Sequence, residues 1–441
     1  MPRRVYAICA ASIGAVMLQI DVSIPGVVLP TIARALHIAD ASAVLVVTVY
    51  QLILAMTLLP FAALGERIGH RRLYQAGLLL HCVAATLYYF AHGLPVLIAV
   101  RALQGFASAA AMSVAVGQLR YIYPAARLGS GLAFNTVANT TGTTLAPIVA
   151  GLVLSVASWQ WAFSAVIPLA LAALAFSRNL PDPDPHRQPF DLKGALLCAL
   201  AFGLLIAGLE GTIQSDHLAL ALGVVAIGAL AAYVLVRHEM RQSDPVLPVN
   251  LFRIRTVALS VTSCFCAVLG SFILILFMPF RLQHGYGFGP GEIGGMMSAY
   301  AVASFMFAPT AGYLSDRVPV ALLSTLGMIV AALGLLSIVF LPADPGRFAI
   351  ALRIWFTGAG FGMFFSPNAR LIIASAPVAR AAAAASLFTT SRMLGQAVGA
   401  TLVAALFALG LGNGFIPLFV GLGLVAVAGV ISAWSLLSAP G

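Results

Sequence analysis

"VYAICAASIGAVMLQIDVSIPGVVLP", residues 5–30, is a run of apolar and small side chains interrupted by one carboxylate, Asp21. Val5 to Ile20 is almost wholly apolar and Val22 to Leu36 nearly so, which together exceed the roughly 20 residues a helix needs to cross a bilayer core. The stretch therefore reads as a membrane-spanning helix that carries a charge at depth. An ionised group costs from about 2.5 to more than 10 kcal/mol there, so an acid in such a place reads as functional.

The rest of the chain has the same texture. Of its 441 residues 61% are hydrophobic and 8% charged, against about 25% charged in a soluble domain. No soluble core of this length could hide so much apolar surface. Long apolar runs separated by short polar breaks specify helices, since a barrel would show short alternating strands. The fold class is thus an all-α polytopic membrane protein. A net charge of +10 would suggest nucleic acid in a soluble protein, but here the cations sit in short loops between spans and no nucleic-acid partner is expected. The five cysteines lie inside apolar runs without ligand spacing, so neither a disulfide framework nor a metal or other cofactor is expected. "MPRR" leads directly into the first span with no small-residue cleavage site, and no cleavable signal is expected.

Fourteen spans fit the apolar runs: 5–33, 41–64, 73–92, 94–120, 131–157, 160–178, 192–212, 216–236, 256–280, 291–314, 318–341, 347–371, 381–410 and 414–437. With both termini inside, seventeen Lys and Arg fall in cytoplasmic loops, and only Arg34, Arg281 and Arg347 fall outside. This is a strong positive-inside bias, and it places the protein in the cytoplasmic (inner) membrane of a bacterial-type cell. Arg101, Arg353 and Arg392 remain within spans.

An internal repeat flanks spans seven and eight. "ALGERIGHRR" (63–72) is echoed by "GYLSDRVP" (312–319), with Glu66 matching Asp316 at a separation of 250. Arg101 of "RALQGFASAA" (101–110) matches Arg353 of "RIWFTGAGFG" (353–362) at 252, and Gly142 matches Gly395 at 253. The expected organisation is an N-terminal six-helix half (1–180), two inserted helices with cytoplasmic linkers (181–255), and a C-terminal six-helix half (256–441). Duplicated helical halves are the plan of many secondary transporters, with the binding site between halves near mid-membrane.

Depth then pairs residues. At about 1.5 Å per residue, Asp21 sits roughly 24 Å up the first span, and Arg101 roughly 10 Å below the outer surface of a core about 30 Å thick. An intramembrane acid and base in one layer are expected to pair or share a watery cavity; a static pair that only fixes helix packing is the alternative, and buried pairs are poor stabilisers compared with apolar packing. Glu66, Arg67, Gly69 and Arg71, with Asp316 and Arg317 in the repeat, read as a charged latch that holds one access state, the alternative being topogenic charge alone. Gly142, Pro147 and Gly151 in "NTTGTTLAPIVAG" allow close helix approach and a bend, as packing or as a gate. Gln51, Gln104, Asn135 and Asn139, with Arg353 and Arg392, are candidates to line a cavity. Glu210 near the end of span seven reads as interfacial.

These motifs resemble the major facilitator superfamily and, within it, the fourteen-spanner drug:proton antiporters. "LQIDVSIPGVVLPTI" (18–32) is similar to that group's first-span signature, and "ALGERIGHRR" to the superfamily's loop motif after span two. "RALQGFASAA" resembles the fourth-span motif, "TLAPIVAG" (144–151) the antiporter motif and "SWQWAF" (158–163) the opening of span six. Glu66, Ala62 and Ala146 stand where the family's patterns have Asp, Gly and Gly. The resemblance implies a major facilitator fold of 6+2+6 helices and a role for Asp21 with protons or cationic substrates. The expected function is proton-coupled efflux of small amphipathic, cationic compounds, as in multidrug resistance; transport of a specific metabolite is the rival. A membrane enzyme is not expected. It would need titratable groups clustered at one depth, whereas most of the eight histidines lie in loops or at span ends and none is spaced to pair with a membrane carboxylate. Oligomeric state and substrate range are not encoded legibly.

Overall fold

The computed structural model describes residues 2–123, 128–181, 191–214, 218–241, 248–315, 317–342, 344–377 and 380–437. Asp316, Arg127, Arg187 and much of the two polar linkers lie outside these, as does the side chain of Glu66. The chain forms two compact units, 1–235 and 236–441.

The first unit contains α1 (Pro2–Ser23), α2 (Pro25–Ala35), α3 (Asp40–Ile68), α4 (His70–Leu87), α5 (Leu94–Ile122), α6 (Leu128–Val156), α7 (Trp159–Ser164), α8 (Ile167–Ser177), α9 (Leu192–Gln214) and most of α10 (Leu218–Glu239). A 3-10 turn, Tyr88–Phe90, ends α4. The second unit contains α11 (Arg255–Phe280), α12 (Pro290–Leu314), α13 (Val320–Val339), α14 (Arg347–Ser375), α15 (Ala381–Ala408) and α16 (Ile416–Leu437). A single π turn, Arg281–Gly285, extends α11.

Among the described residues thirteen helical segments are long and apolar enough to cross a membrane. The remaining expected span is α12, a 25-residue helix whose apolar character is diluted by Gly291, Gly294, Gly295 and Gly312. Prolines divide two spans that read as continuous. Pro25 has no N–H to give the carbonyl of Asp21, so α1 yields to α2 at Ile24, which keeps right-handed helical angles; the result is a kink beside the acid. Pro168 does the same between α7 and α8.

Each unit has the same internal plan. In the first, α1 packs on α6 and α8, while α5 packs on α3 and α4. In the second, α11 packs on α15 and α16, while α14 packs on α12 and α13. Glycines set the register of both. A Cβ on Gly105 would strike the backbone of Tyr50, and one on Gly358 that of Tyr300; Gly77 lies against Ala107 and Ala111, and Gly327 against Gly360 and Phe364. Gly142 lies against Val16 and Gln19, and Gly395 against Phe265 and Val268. These pairs fix the repeat offset at 250 for α3 and α4, 249 for α1 and 253 for α5 and α6. The expected match of Arg101 with Arg353 is therefore one residue out of step: Ile354 occupies Arg101's place in the second unit.

The inserted pair α9–α10 forms a hairpin closed by Gly208 against Val225 and Gly228 against Leu204 and Leu205. Its α9 packs on α3, with Gly203 against Met56. Leu220, Ile227, Leu230 and Tyr233 of α10 are exposed, an apolar face suited to lipid.

Candidate functional site

Asp21 is fully buried, and so are Tyr50, His81, Tyr88, Arg101, Gln104 and Ser108 around it. α5 supplies three of these because positions 101, 104 and 108 fall on one helix face at spacings of three and four. Gln104 Nε2 donates to Asp21 Oδ1 at 2.7 Å. Arg101 Nη1 lies 3.6 Å from the same oxygen, and His81 Nε2 lies 3.9 Å from it.

Arg101 is held from all sides. Its Nε donates to the carbonyl of Val46 on α3 at 3.0 Å, and its Nη1 to Gln104 Oε1 at 2.8 Å and to the Tyr88 hydroxyl at 3.4 Å. The guanidinium lies over the ring of Tyr50 at 4.3 Å and that of Phe163 at 5.3 Å, where the aromatic faces favour a cation. Tyr88 stacks on Phe163 at 4.4 Å and donates its hydroxyl to Gln104 Oε1. Phe163, in the "SWQWAF" stretch, thus walls the site.

The amide of Gln104 is fixed by this arrangement. Its Oε1 accepts from Arg101 and Tyr88, which leaves the two N–H bonds of Nε2 for Asp21 and for His81 Nε2, 3.4 Å away. If His81 Nε2 accepts, its proton is on Nδ1, which faces Ser108 Oγ at 3.2 Å. The imidazole is then neutral, a tautomer assigned from the network. One carboxylate and one guanidinium balance, so the cluster carries no net charge in this form. Asp21 Oδ2 is buried and has no hydrogen-bond partner among the described residues. An orphan oxygen beside a fixed pair is the atom with capacity for a proton or a cation.

The expectation that no histidine meets a membrane carboxylate is overturned: His81, in mid-span on α4, faces Asp21. A partial signal was present, because residue 81 lies about 16 Å along α4 from His70 at 1.5 Å per residue, at mid-membrane and within side-chain reach of the layer assigned to Asp21 and Arg101. Gln104, read as a cavity-lining amide, is the centre of the network. Tyr50, Tyr88 and Ser108 carried no comparable signal. Glu210, read as interfacial, is buried on the side of α9 that faces Thr48.

The other candidates lie elsewhere. Gln51 is buried on α3. Asn139 donates to Asn135 Oδ1 at 2.8 Å, so the two amides serve each other within α6. Gly142 and the buried Ala146, Ala150 and Gly151 bring α6 onto α1, where Gln19 Nε2 reaches Thr143 Oγ1 at 3.4 Å; Pro147 lies inside the same helix. Gly69 joins α3 to α4 with φ 99°, which only glycine takes without strain, beside the exposed Arg67 and half-buried Arg71. In the second unit Arg317 stacks on Tyr313 at 4.9 Å. Arg392 lies over Phe365 and Phe388 at 5.5 and 5.8 Å, and Arg353 is half-buried on α14 with Nη1 making no hydrogen bond among the described residues.

Residues 11–236 and 260–441 match the family model described as Major Facilitator Superfamily. The chain is 37% identical to the uncharacterized transporter YebQ of Escherichia coli K12, over 92% of this chain and 89% of that one. It is 27% identical to the riboflavin transporter RibZ of Clostridioides difficile (90% and 86% covered) and 26% identical to the multidrug efflux pump LfrA of Mycolicibacterium smegmatis (92% and 81%). Its fold is also that of a bacterial homologue of the human lysosomal transporter Spinster, crystallised inward-facing, with a TM-score of 0.70 at 14% identity over 100% and 99% of the two chains. These matches bear out the resemblance to fourteen-spanner drug:proton antiporters, and the chain belongs to the Major Facilitator Superfamily as a multi-pass membrane transporter.

Proposed function

We propose that this transporter exports amphipathic cations in exchange for protons, with Asp21 as the group for which the two compete. The observation that carries the reading is the fully buried Asp21, with Oδ1 engaged by Gln104 and Oδ2 without a hydrogen-bond partner among the described residues. Arg101 is permanently charged. With a proton on Asp21 the cluster carries one positive charge; with Asp21 ionised and a monovalent cation beside it, the total is the same. Proton and cargo are therefore equivalent electrostatic loads, while both together add a second buried charge. That equivalence is the physical basis of exchange.

In this reading both termini are cytoplasmic, the membrane is the bacterial inner membrane, and Glu66, Arg67, Gly69, Arg71, Asp316 and Arg317 latch one access state. The test uses proteoliposomes with an imposed pH gradient and a panel of cationic dyes. Asp21→Asn should abolish uphill export and weaken cation binding, while Asp21→Glu keeps part of both. Uphill export by a folded Asn variant at the wild-type rate would sink the reading. The relative RibZ, at an identity close to that of LfrA, favours a second reading, transport of one metabolite; competition by a dye panel for a single saturable flux separates the two.

A further inference from the structure

The imidazole of His81 has no part in the exchange described above, yet it stands within one contact of it. It is fully buried in mid-span, far from the loops where histidine is ordinarily cheap to place. The titratable and charged groups around it are Asp21 from α1 and Arg101 from α5, with Tyr50 of α3 and Tyr88 of the 3-10 turn one contact further out. α7 and α8, which also pack on α4, bring no titratable side chain. His81 Nε2 stands 3.9 Å from Asp21 Oδ1, and Gln104 flanks the two, giving one N–H to each.

We propose that His81 is a second proton-carrying group of the site, receiving at Nε2 the proton that leaves Asp21 when cationic cargo arrives. The inference rests on the reading of Asp21 as the proton- and cation-loading acid. In the step, the carboxyl of Asp21 turns to bring the O–H from the unpartnered Oδ2 position toward His81; that O–H bond breaks and an N–H bond forms at His81 Nε2, leaving a carboxylate and an imidazolium. The oxygen position that faces His81 Nε2, held by Oδ1 before the turn, is 3.9 Å from it with Gln104 Nε2 to one side of the line between them, so a shift of about 1 Å closes the gap while Gln104 Oε1 stays anchored by Arg101 and Tyr88. The charge of the cluster is unchanged by the transfer itself. Cargo beside the freed carboxylate then adds a second positive charge, and repulsion drives the proton off His81.

The route of departure is built in. An imidazolium that gained its proton at Nε2 can lose the other from Nδ1, and Nδ1 faces Ser108 Oγ at 3.2 Å. Ser108 lies one helical turn beyond Gln104 along α5, toward the end of the span on which α3 and α4 are joined at Gly69. In the proposed topology that end is cytoplasmic, the side to which an antiporter must deliver protons. His81 is thus placed to give the exchange its direction: cargo and proton compete for Asp21, and the proton moved to His81 is repelled by the cargo that replaces it.

The experiment compares wild type, Asp21→Asn and His81→Gln in proteoliposomes with tetraphenylphosphonium as cargo. Two fluxes are read: uphill export driven by a pH gradient, and one-for-one cargo exchange at equal pH, which needs no net proton movement. His81→Gln should lower uphill export by about tenfold or more while exchange stays within about twofold, and its export should lose part of the wild-type pH dependence. A folded His81→Gln protein with wild-type uphill export and pH profile overturns the inference. If Asp21→Asn also exports uphill, the underlying reading falls; if Asp21→Asn is dead and His81→Gln normal, only the role of His81 falls. Should His81→Gln fail to fold, nitrogen-15 NMR of protein with the seven other histidines replaced reads the imidazole directly. Titration between about pH 5 and pH 9 that shifts when tetraphenylphosphonium binds supports the inference, and an imidazole that stays neutral throughout overturns it.

Discussion

The two units share a frame and differ in what they put inside it. By the glycine-set register, Asp21, His81, Tyr88, Arg101 and Gln104 correspond to Gly270, Ala331, Ile338, Ile354 and Thr357. All ten are buried. One unit therefore spends its centre on a connected polar network and the other on aliphatic packing, although Tyr50 and Tyr300 hold the same place beside Gly105 and Gly358. Thr357, the sole polar member of the second set, returns its hydroxyl to the carbonyl of Arg353 in its own helix. The difference teaches that the helical frame does not require the charges. A buried ion pair is a weak stabiliser compared with apolar packing of similar volume, and the second unit displays that apolar alternative. The charges of the first unit are then best explained by transport, and the proposal for Asp21 above is the largest effect by which the contrast can be broken.

Arg101→Ala should come next, and its effect is on folding. Removing the guanidinium leaves Asp21 buried without its counter-charge and strips the Val46 carbonyl, Gln104 and Tyr88 of a donor. Breaking a buried pair in this way costs about 3–5 kcal/mol, read as a large fall in thermal stability of the detergent-solubilised protein. Arg101→Ala combined with Asp21→Asn should recover part of that loss, because the orphaned charge is gone. A single variant as stable as wild type would mean that the network is solvated, and that the contrast between the units is not one of buried charge.

The joints after α3 and α12 offer a milder contrast. Glu66→Gln in the first joint should lower transport severalfold with little change in substrate binding, since the proposed latch governs switching between states; equal losses of both would refute the latch. Gly69 and Pro319 hold equivalent places, one at φ 99° and the other at φ −51°. Gly69→Ala should cost about 1–2 kcal/mol through backbone strain, measured as a shift in unfolding, whereas Pro319→Ala meets no such strain.

How much of this was legible before the structure depends on which physical signal each feature leaves. Helical spans leave a strong one, since each needs an unbroken apolar run; α12 shows the margin, its run thinned by glycine yet still a full-length helix. Asp21 and Arg101 were legible because an intramembrane charge is conspicuous against apolar neighbours, and depth along two spans placed them together. His81 obeyed the same rule but lies in a helix that begins with polar residues, His70, Arg71 and Arg72, which masked its depth. Tyr50 and Tyr88 are amphipathic and occur in spans for many reasons, so only the packed register reveals that they flank the guanidinium. The break at Pro25 was not read from the sequence, where 5–33 counts as one span; it emerged from the hydrogen-bond ladder that ends α1 and begins α2 beside Asp21.

Arg353 gives the smallest expected effect and the sharpest check on the register. The sequence repeat pairs it with Arg101, whereas the glycine contacts put Ile354 in that place and leave Arg353 half-buried with Nη1 making no hydrogen bond among the described residues. The two arginines should therefore respond differently to the same substitution. Arg101→Ala removes half of an ion pair, but Arg353→Ala removes a cation whose buried nitrogen gains little from its surroundings and pays desolvation. The expected change in stability for Arg353→Ala is within about 1 kcal/mol of zero, with uphill export retained. Ile354→Ala, by contrast, hollows a packed aliphatic site and should cost about 2–5 kcal/mol. If thermal unfolding shows Arg353→Ala as damaging as Arg101→Ala and Ile354→Ala as harmless, the register is shifted by one residue and the sequence match was the better guide.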